Sequence, residues 1–204
     1  MIWCLELFGN SLYSLPIFFE KADPKTNTAA QRKYWQGSLR DLSRVPKIAW
    51  VRPPHLIKLN MPDLFAINMG FIVVGQRMRD LLQRFELGET QLLELEIQSF
   101  DRTRRIEGDY AVLNVHEHKS TLVPEASTGL KQSASGTRWF PYCADVDGIA
   151  ARTSASGGVD LWLDPTLKYV VFLSDRLARA IVEEGITMPP NDAIPLRECR
   201  SIEC

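Results

Sequence analysis

An α+β fold, a mixed and mainly antiparallel sheet with a few helices, is the architecture that the patterning of this chain specifies. Three observations lead there. Short β-prone runs are separated by Gly, Pro and Asn; two of those runs pass directly into helically spaced apolar stripes; and the segments after the stripes alternate apolar and polar residues at strand period. A chain of 204 residues is long enough to close one large core, so a single domain over 1–204 is expected. Hydrophobic residues at 45% and charged residues at 24% match ordinary globular usage rather than a disordered chain.

Taken in order, Ile2 to Phe8 reads as a first strand, closed by the turn signal Gly9-Asn10. Asn27 to Leu42 is helix-compatible, with Thr28 placed as a cap, Gly37 weakening the interior and Pro46 setting the limit. Lys47 to Arg52 and His55 to Leu59 are extended pieces parted by Pro53-Pro54, which cannot donate to a ladder. Phe71 to Val74 is a strand, and Met78, Leu81, Leu82 and Phe85 follow at i, i+3, i+4, i+7, a helix that Gly88 is placed to end. Leu93, Leu95 and Ile97 then alternate with Glu94, Glu96 and Gln98, as in a half-buried strand. Asp101 to Arg105 fits a hairpin turn, and Asp109 to His116 is the next strand.

The same order returns near the C-terminus. Tyr169 to Leu173 is a strand, Ser174 stands at the N-cap of a helix with Leu177, Ala180 and Ile181 on one face, Gly185 occupies C′, and Ala193 to Cys199 alternates. Gln76-Arg77-Met78 and Asp175-Arg176-Leu177 align at one offset, as two copies of a strand-helix-strand unit would. Between the copies, the Ser/Thr/Gly-rich stretch 123–158 reads as a long loop, a kind of segment that is usually functional or mobile. Its three aromatics within Arg138-Trp139-Phe140-Pro141-Tyr142 either anchor the segment on the core, the commoner role, or are offered to a partner.

Charge narrows the function. With 24 Lys+Arg against 25 Asp+Glu the net charge is -1, so no overall field draws the chain to nucleic acid or to an anionic membrane. The start lacks a basic stretch, Glu6 interrupts its apolar run, and no run is long enough to span a bilayer. The cysteines Cys4, Cys143, Cys199 and Cys204 show no metal spacing, so reduced thiols in a cytoplasm are expected.

Catalytic patterns are sparse. His116 and His118, if extended, place two imidazoles on one face, where they could share a metal, but His55 upstream is the only further histidine. G-x-S-x-G, G-x-G-x-x-G and the P-loop pattern are absent. Asp145, Asp147, Asp160 and Asp164 are either solvated acids or an acid/base pair. A metal-dependent hydrolase built on His116, His118 and an aspartate is therefore the rival reading, and no other cofactor is expected. Glu94 with Glu96, and Glu183 with Glu184, instead offer acidic surface to a basic partner.

Phe71-Ile72-Val73-Val74-Gly75-Gln76-Arg77-Met78-Arg79-Asp80-Leu81-Leu82 and Tyr169-Val170-Val171-Phe172-Leu173-Ser174-Asp175-Arg176-Leu177, with Tyr110-Ala111-Val112-Leu113-Asn114-Val115 between them, resemble the eleventh family of immunity proteins from bacterial polymorphic-toxin systems. The resemblance covers roughly Asp63 to Leu196. It implies a non-enzymatic α+β protein, made beside a toxin, that binds this cognate toxin in the cytoplasm and blocks its active site. It brings no catalytic residues. Trp139, Phe140, Asp145 and Asp147 are the expected contacts, since binding hot spots favour aromatics ringed by polar groups. Where the second signature has Ser174-Asp175 the first has Gly75-Gln76, so the first helix should lack a side-chain cap.

Overall fold

The computed structural model describes residues 1–6, 14–19, 29, 31–52, 61–142, 148–189 and 195–203. In chain order its strands begin with β1 (Ile2–Glu6), β2 (Ile17–Phe18), β3 (Ile48–Val51), β4 (Leu64–Ala66) and β5 (Ile72–Val74). Helix α1 (Gln76–Leu82) leads to β6 (Gln91–Gln98) and β7 (Tyr110–Asn114), and then to β8 (Leu130–Gln132), β9 (Trp139–Pro141), β10 (Ala150–Arg152) and β11 (Leu161–Trp162). The chain closes with β12 (Val170–Ser174), α2 (Asp175–Glu183), β13 (Leu196–Glu198) and β14 (Arg200–Ile202). This is the expected α+β fold, with mainly antiparallel pairing.

Six strands form one sheet in the order β2-β3-β6-β7-β5-β4, and four form another in the order β11-β12-β1-β13. Each contains a split β-α-β unit. β5 and β6 run parallel on either side of β7, joined through α1, and β12 and β13 flank β1 in the same way, joined through α2. β4 lies outside β5 as β11 lies outside β12, each antiparallel. The strand-helix-strand repeat is thus present with one permutation: the central strand follows β6 in the first unit and opens the chain in the second.

The units dock through matching clamps. Asp63, at the start of β4, accepts from Arg77 in the first turn of α1 (2.7 Å) and from the Thr187 N–H and hydroxyl beyond α2 (both 2.9 Å). Asp160, at the start of β11, accepts from Arg176 Nε in the first turn of α2 (2.6 Å), from Ser174 Oγ (2.6 Å) and from the Glu86 N–H beyond α1 (2.8 Å). Burial alone would raise the Asp160 carboxyl, but the donors from Arg176, Ser174 and Glu86 outweigh it and hold the group below the ordinary carboxylate range. Each aspartate carbonyl also accepts from the residue before its own helix, Gly75 (2.8 Å) or Ser174 (2.9 Å). α1 packs against α2, and one apolar core takes Leu64, Val73, Met78, Leu81 and Leu82 from the first unit and Val171, Leu173, Leu177 and Ile181 from the second.

Helix ends follow local chemistry. Ser174 Oγ caps α2 by accepting from the Leu177 N–H (3.2 Å). At its far end Gly185 N–H reaches the Val182 carbonyl and Ile186 N–H the Ile181 carbonyl, a Schellman closure with Gly185 at φ +57°. α1 has Gly75 at its cap position with no side-chain bond, as expected. Gly88 does not end it: α1 stops at Leu82, and Gly88, at φ +58°, serves a later turn against the Glu117 carboxyl. In the region expected to be a helix over Asn27 to Leu42, residues 31–34 are helical and Thr28 lies outside the described residues. Gly37, at φ +58° and packed against His118, turns the chain away.

The stretch 123–158 is not a plain loop, because it pairs and covers. β8 and β9 form a hairpin, and β10 pairs in parallel with β14. Leu122, Ile149, Ala151 and Ala155 pack on Ile2, Cys4, Val170 and Phe172, closing the back of the second sheet. Lys119 pins that cover: its ammonium donates to the Ala155, Gly157 and Val159 carbonyls (3.1, 2.7 and 2.9 Å) and lies 3.6 Å from the Trp162 ring centre. Cys4 and Cys199 are buried free thiols. No helix among the described residues is long and apolar enough to cross a membrane.

Candidate functional site

The residues singled out in the sequence go to separate places. His116 is buried just past the end of β7, its Nε2 2.8 Å from Asn114 Nδ2, and burial followed by the Arg40 charge lowers its pKa. His118 Nε2 donates to the Gln36 carbonyl (2.6 Å). The two imidazoles thus use their Nε2 atoms on different partners, and among the described residues no group of three His, Cys, Asp or Glu converges on a possible metal position.

Asp160 and Asp164 are not solvated acids, since both are buried acceptors. Asp164 takes the Thr121 and Leu122 N–H groups on Oδ2 (2.7 and 2.8 Å) and the Thr166 N–H and hydroxyl on Oδ1 (2.7 and 2.6 Å). These carboxylates join the segments around β11, which leaves no lone pair aimed at a substrate. Asp145 and Asp147 lie outside the described residues. Trp139 and Phe140 are half-buried in β9; Trp139 packs on the second core and bonds through its backbone to Thr166 and Lys168, so its first role is anchoring. Tyr142 beyond it is 68% exposed, under the Lys131 ammonium.

The clearest open surface runs along β6. β3 pairs with only the last part of that strand, through Ile48↔Glu96, Ala49↔Ile97 and Trp50↔Gln98. The Glu96 N–H donates to the Lys47 carbonyl (2.9 Å), and because backbone groups alternate in direction, Leu92 and Glu94 aim their N–H and C=O groups to the same side. There the chain before β3 has turned off through Pro46 and the 3-10 turn Leu42–Arg44, so no described residue pairs with them. A groove of about 800 Å³ follows this free edge.

Leu42, Val45, Pro46 and Ile48 wall one side of the groove and the β6 edge the other. Leu42 and Ile48 are 37% and 50% exposed, while Val45 is buried, so the wall is apolar yet reachable. Asp41 fixes the turn that carries it, accepting from the Ser43 N–H and hydroxyl and from Arg44 Nε. The Ser43 bond and then the Arg44 bond keep the Asp41 carboxyl below its ordinary range. Glu94 is exposed at the middle of the free edge, and Arg79 and Arg105 line the groove.

This groove was half legible. The alternation over Leu93 to Ile97 marked β6 and put Glu94 and Glu96 on one face, but nothing in the sequence said that β3 would stop short. Register across a parallel pair is a tertiary property, set by where the chain between Gly37 and Pro46 is forced to go. No protein-family model matches the chain, and no curated protein matches it either.

Proposed function

We propose that the chain is an immunity protein that binds a cognate bacterial toxin in the cytoplasm and blocks its active site, with an extended toxin segment added to the free edge of β6. The observation that carries the reading is the unpaired backbone of Leu92 and Glu94 beside an apolar wall. Strand addition draws affinity from such main-chain groups and specificity from the flanking pockets. The resemblance to the immunity family supplies the biological role.

Glu94 argues for a partner rather than a second copy of this chain. An antiparallel self-pairing would bring two Glu94 carboxylates into one short ladder, a like-charge arrangement that edges use to resist self-association. A toxin segment with Lys or Arg opposite Glu94 and apolar side chains over Leu42 and Ile48 fits the surface.

The test is co-purification of the tagged chain with the product of the neighbouring gene, followed by a growth assay with that product expressed. Glu94→Lys and Leu42→Asp should each weaken the complex by about tenfold or more and abolish protection. If instead Trp139→Ala with Phe140→Ala removes binding while the edge variants keep it, the hairpin is the interface and the edge assignment falls. No complex and no protection would overturn the function itself.

A further inference from the structure

Several arginines in this protein meet carboxylates, as at Arg77, Arg84, Arg176 and Arg179. One hollow differs. Arg32, from the helical residues 31–34, converges there with Arg138 at the mouth of the β8–β9 hairpin and Lys168 before β12. No carboxylate among the described residues lines the hollow or pairs with these cations. With its amide turned so that the oxygen faces Arg138, Gln36 accepts from Nη1 (2.6 Å) and from Nη2 and holds the guanidinium in place.

Like charges gathered with no carboxylate among them repel, and Lys168 is the most affected of the three. Burial, followed by the Arg138 and Arg32 charges, lowers the Lys168 pKa, and no acidic group restores it. The backbone that carries the lysine is nonetheless held from both sides. Its N–H donates to the Trp139 carbonyl (2.9 Å), and the next residue, Tyr169, is held at φ +66°, a conformation that a non-glycine residue rarely adopts and that concentrates at functional sites. The hairpin turn adds hydroxyls at the rim: Ser133, Ser135 and Thr137 form a chain, Ser135 Oγ lying 3.2 Å from Ser133 Oγ and 2.8 Å from Thr137 Oγ1.

We propose that this hollow binds a phosphate-bearing small molecule, with Arg32, Arg138 and Lys168 holding the phosphate and the hydroxyl rim facing the remainder. A planar guanidinium that presents paired donors suits phosphate oxygens, and Lys168 supplies a point charge. Size agrees with a small ligand. A recess of about 210 Å³ beside Trp35 and Tyr169 and a space of about 420 Å³ beside the hairpin turn are both lined by Arg32, Gln36, Arg138 and Lys168. The concave convergence also separates this site from the β6 groove, with which it shares no residue.

Isothermal titration of the full chain at matched ionic strength tests the site, with inorganic phosphate, a sugar phosphate, a nucleoside monophosphate and a short single-stranded oligonucleotide as probes. Saturable one-to-one binding of at least one of the small phosphates is expected, and the tightest of them identifies the source of the group. Arg32→Gln combined with Lys168→Met should weaken that binding by about tenfold or more, whereas Lys131→Gln, on the same hairpin but outside the hollow, should leave it unchanged. Circular dichroism on each variant separates lost binding from lost folding, and Arg138→Lys, which keeps the charge but not the fork, should bind at an intermediate level. Binding no stronger than that of chloride, an equal loss in Lys131→Gln, or an oligonucleotide preferred over every small phosphate would overturn the proposal.

Discussion

Around α1 and around α2 the chain builds the same split β-α-β arrangement, yet it finishes the two differently. The Asp160 side chain is 1% exposed and takes four donors, two of them from Arg176, and Ser174 both caps α2 and feeds that carboxylate. The Asp63 side chain is 12% exposed, takes three donors on a single oxygen, and stands beside a helix with no side-chain cap. The second unit is also roofed on its back face by the 123–158 stretch, while the first leaves half of β6 open. Reinforcement and exposure are therefore divided: the second unit is the more tightly tied and roofed, and the first leaves a strand edge free.

Removing the clamps should break the comparison most strongly. Asp160→Ala leaves Ser174 Oγ, the Glu86 N–H and Arg176 without their acceptor, and should cost about 3 kcal/mol in urea unfolding, less than a fully buried pair because the Arg176 side chain is 63% exposed and can rehydrate. Asp63→Ala should cost about 2 kcal/mol, since that carboxylate is the more exposed of the two and takes three donors rather than four. Equal losses would mean that the clamps are equivalent and that burial does not rank them.

The same carboxylate sets a pH dependence. The folded pKa of Asp160 lies below its unfolded value, so the folded state binds fewer protons and gains stability that is complete above about pH 4 and is lost as pH falls through the folded pKa. Unfolding free energy measured from pH 6 downward should therefore fall less steeply in Asp160→Asn than in the parent protein. An unchanged slope would assign the acid sensitivity to other groups.

A smaller effect isolates the cap. Ser174→Ala removes the acceptor for the Leu177 N–H and one donor to Asp160, and should cost about 1 kcal/mol. Its thermal midpoint should fall by about 2–4 °C, as expected for a chain of this size.

How much of this was readable from residues follows from what each feature depends on. Ser174, Gly185 and the i, i+3, i+4 stripes are local, and the structure places them as read. The repeat offset at Arg77 and Arg176 was visible, but its meaning was not, because the partners Asp63 and Asp160 lie 14 and 16 residues upstream in segments without a periodic signal. β4, β11 and β14 were missed for a related reason: strands of two or three residues are too short to show alternation. The 123–158 stretch reads as loop by composition because its strands bury only scattered Ile, Ala and Leu, and it is held by Lys119 and Asp164, whose charges suggest a surface. The cation hollow joins residues near 32, 138 and 168, which no spacing rule connects.

The finest comparison is between the two cap positions. Gly75 sits at φ -83° and ψ 177°, extended backbone that any residue adopts, and closely resembles Ser174 at φ -67° and ψ 158°. A Cβ there would meet the Pro62 carbonyl at 3.5 Å, an ordinary contact. Gly75→Ser should therefore place Oγ to accept from the Met78 N–H, three residues on, as Ser174 does from Leu177. The gain should be about 0.5 kcal/mol, combining a few tenths from the cap with the reduced freedom of the unfolded chain, and should raise the thermal midpoint by about 1–2 °C. If the variant loses stability instead, the glycine is needed for the close pass of its N–H to the Asp63 carbonyl, and the first unit's missing cap is a requirement of its geometry rather than an omission.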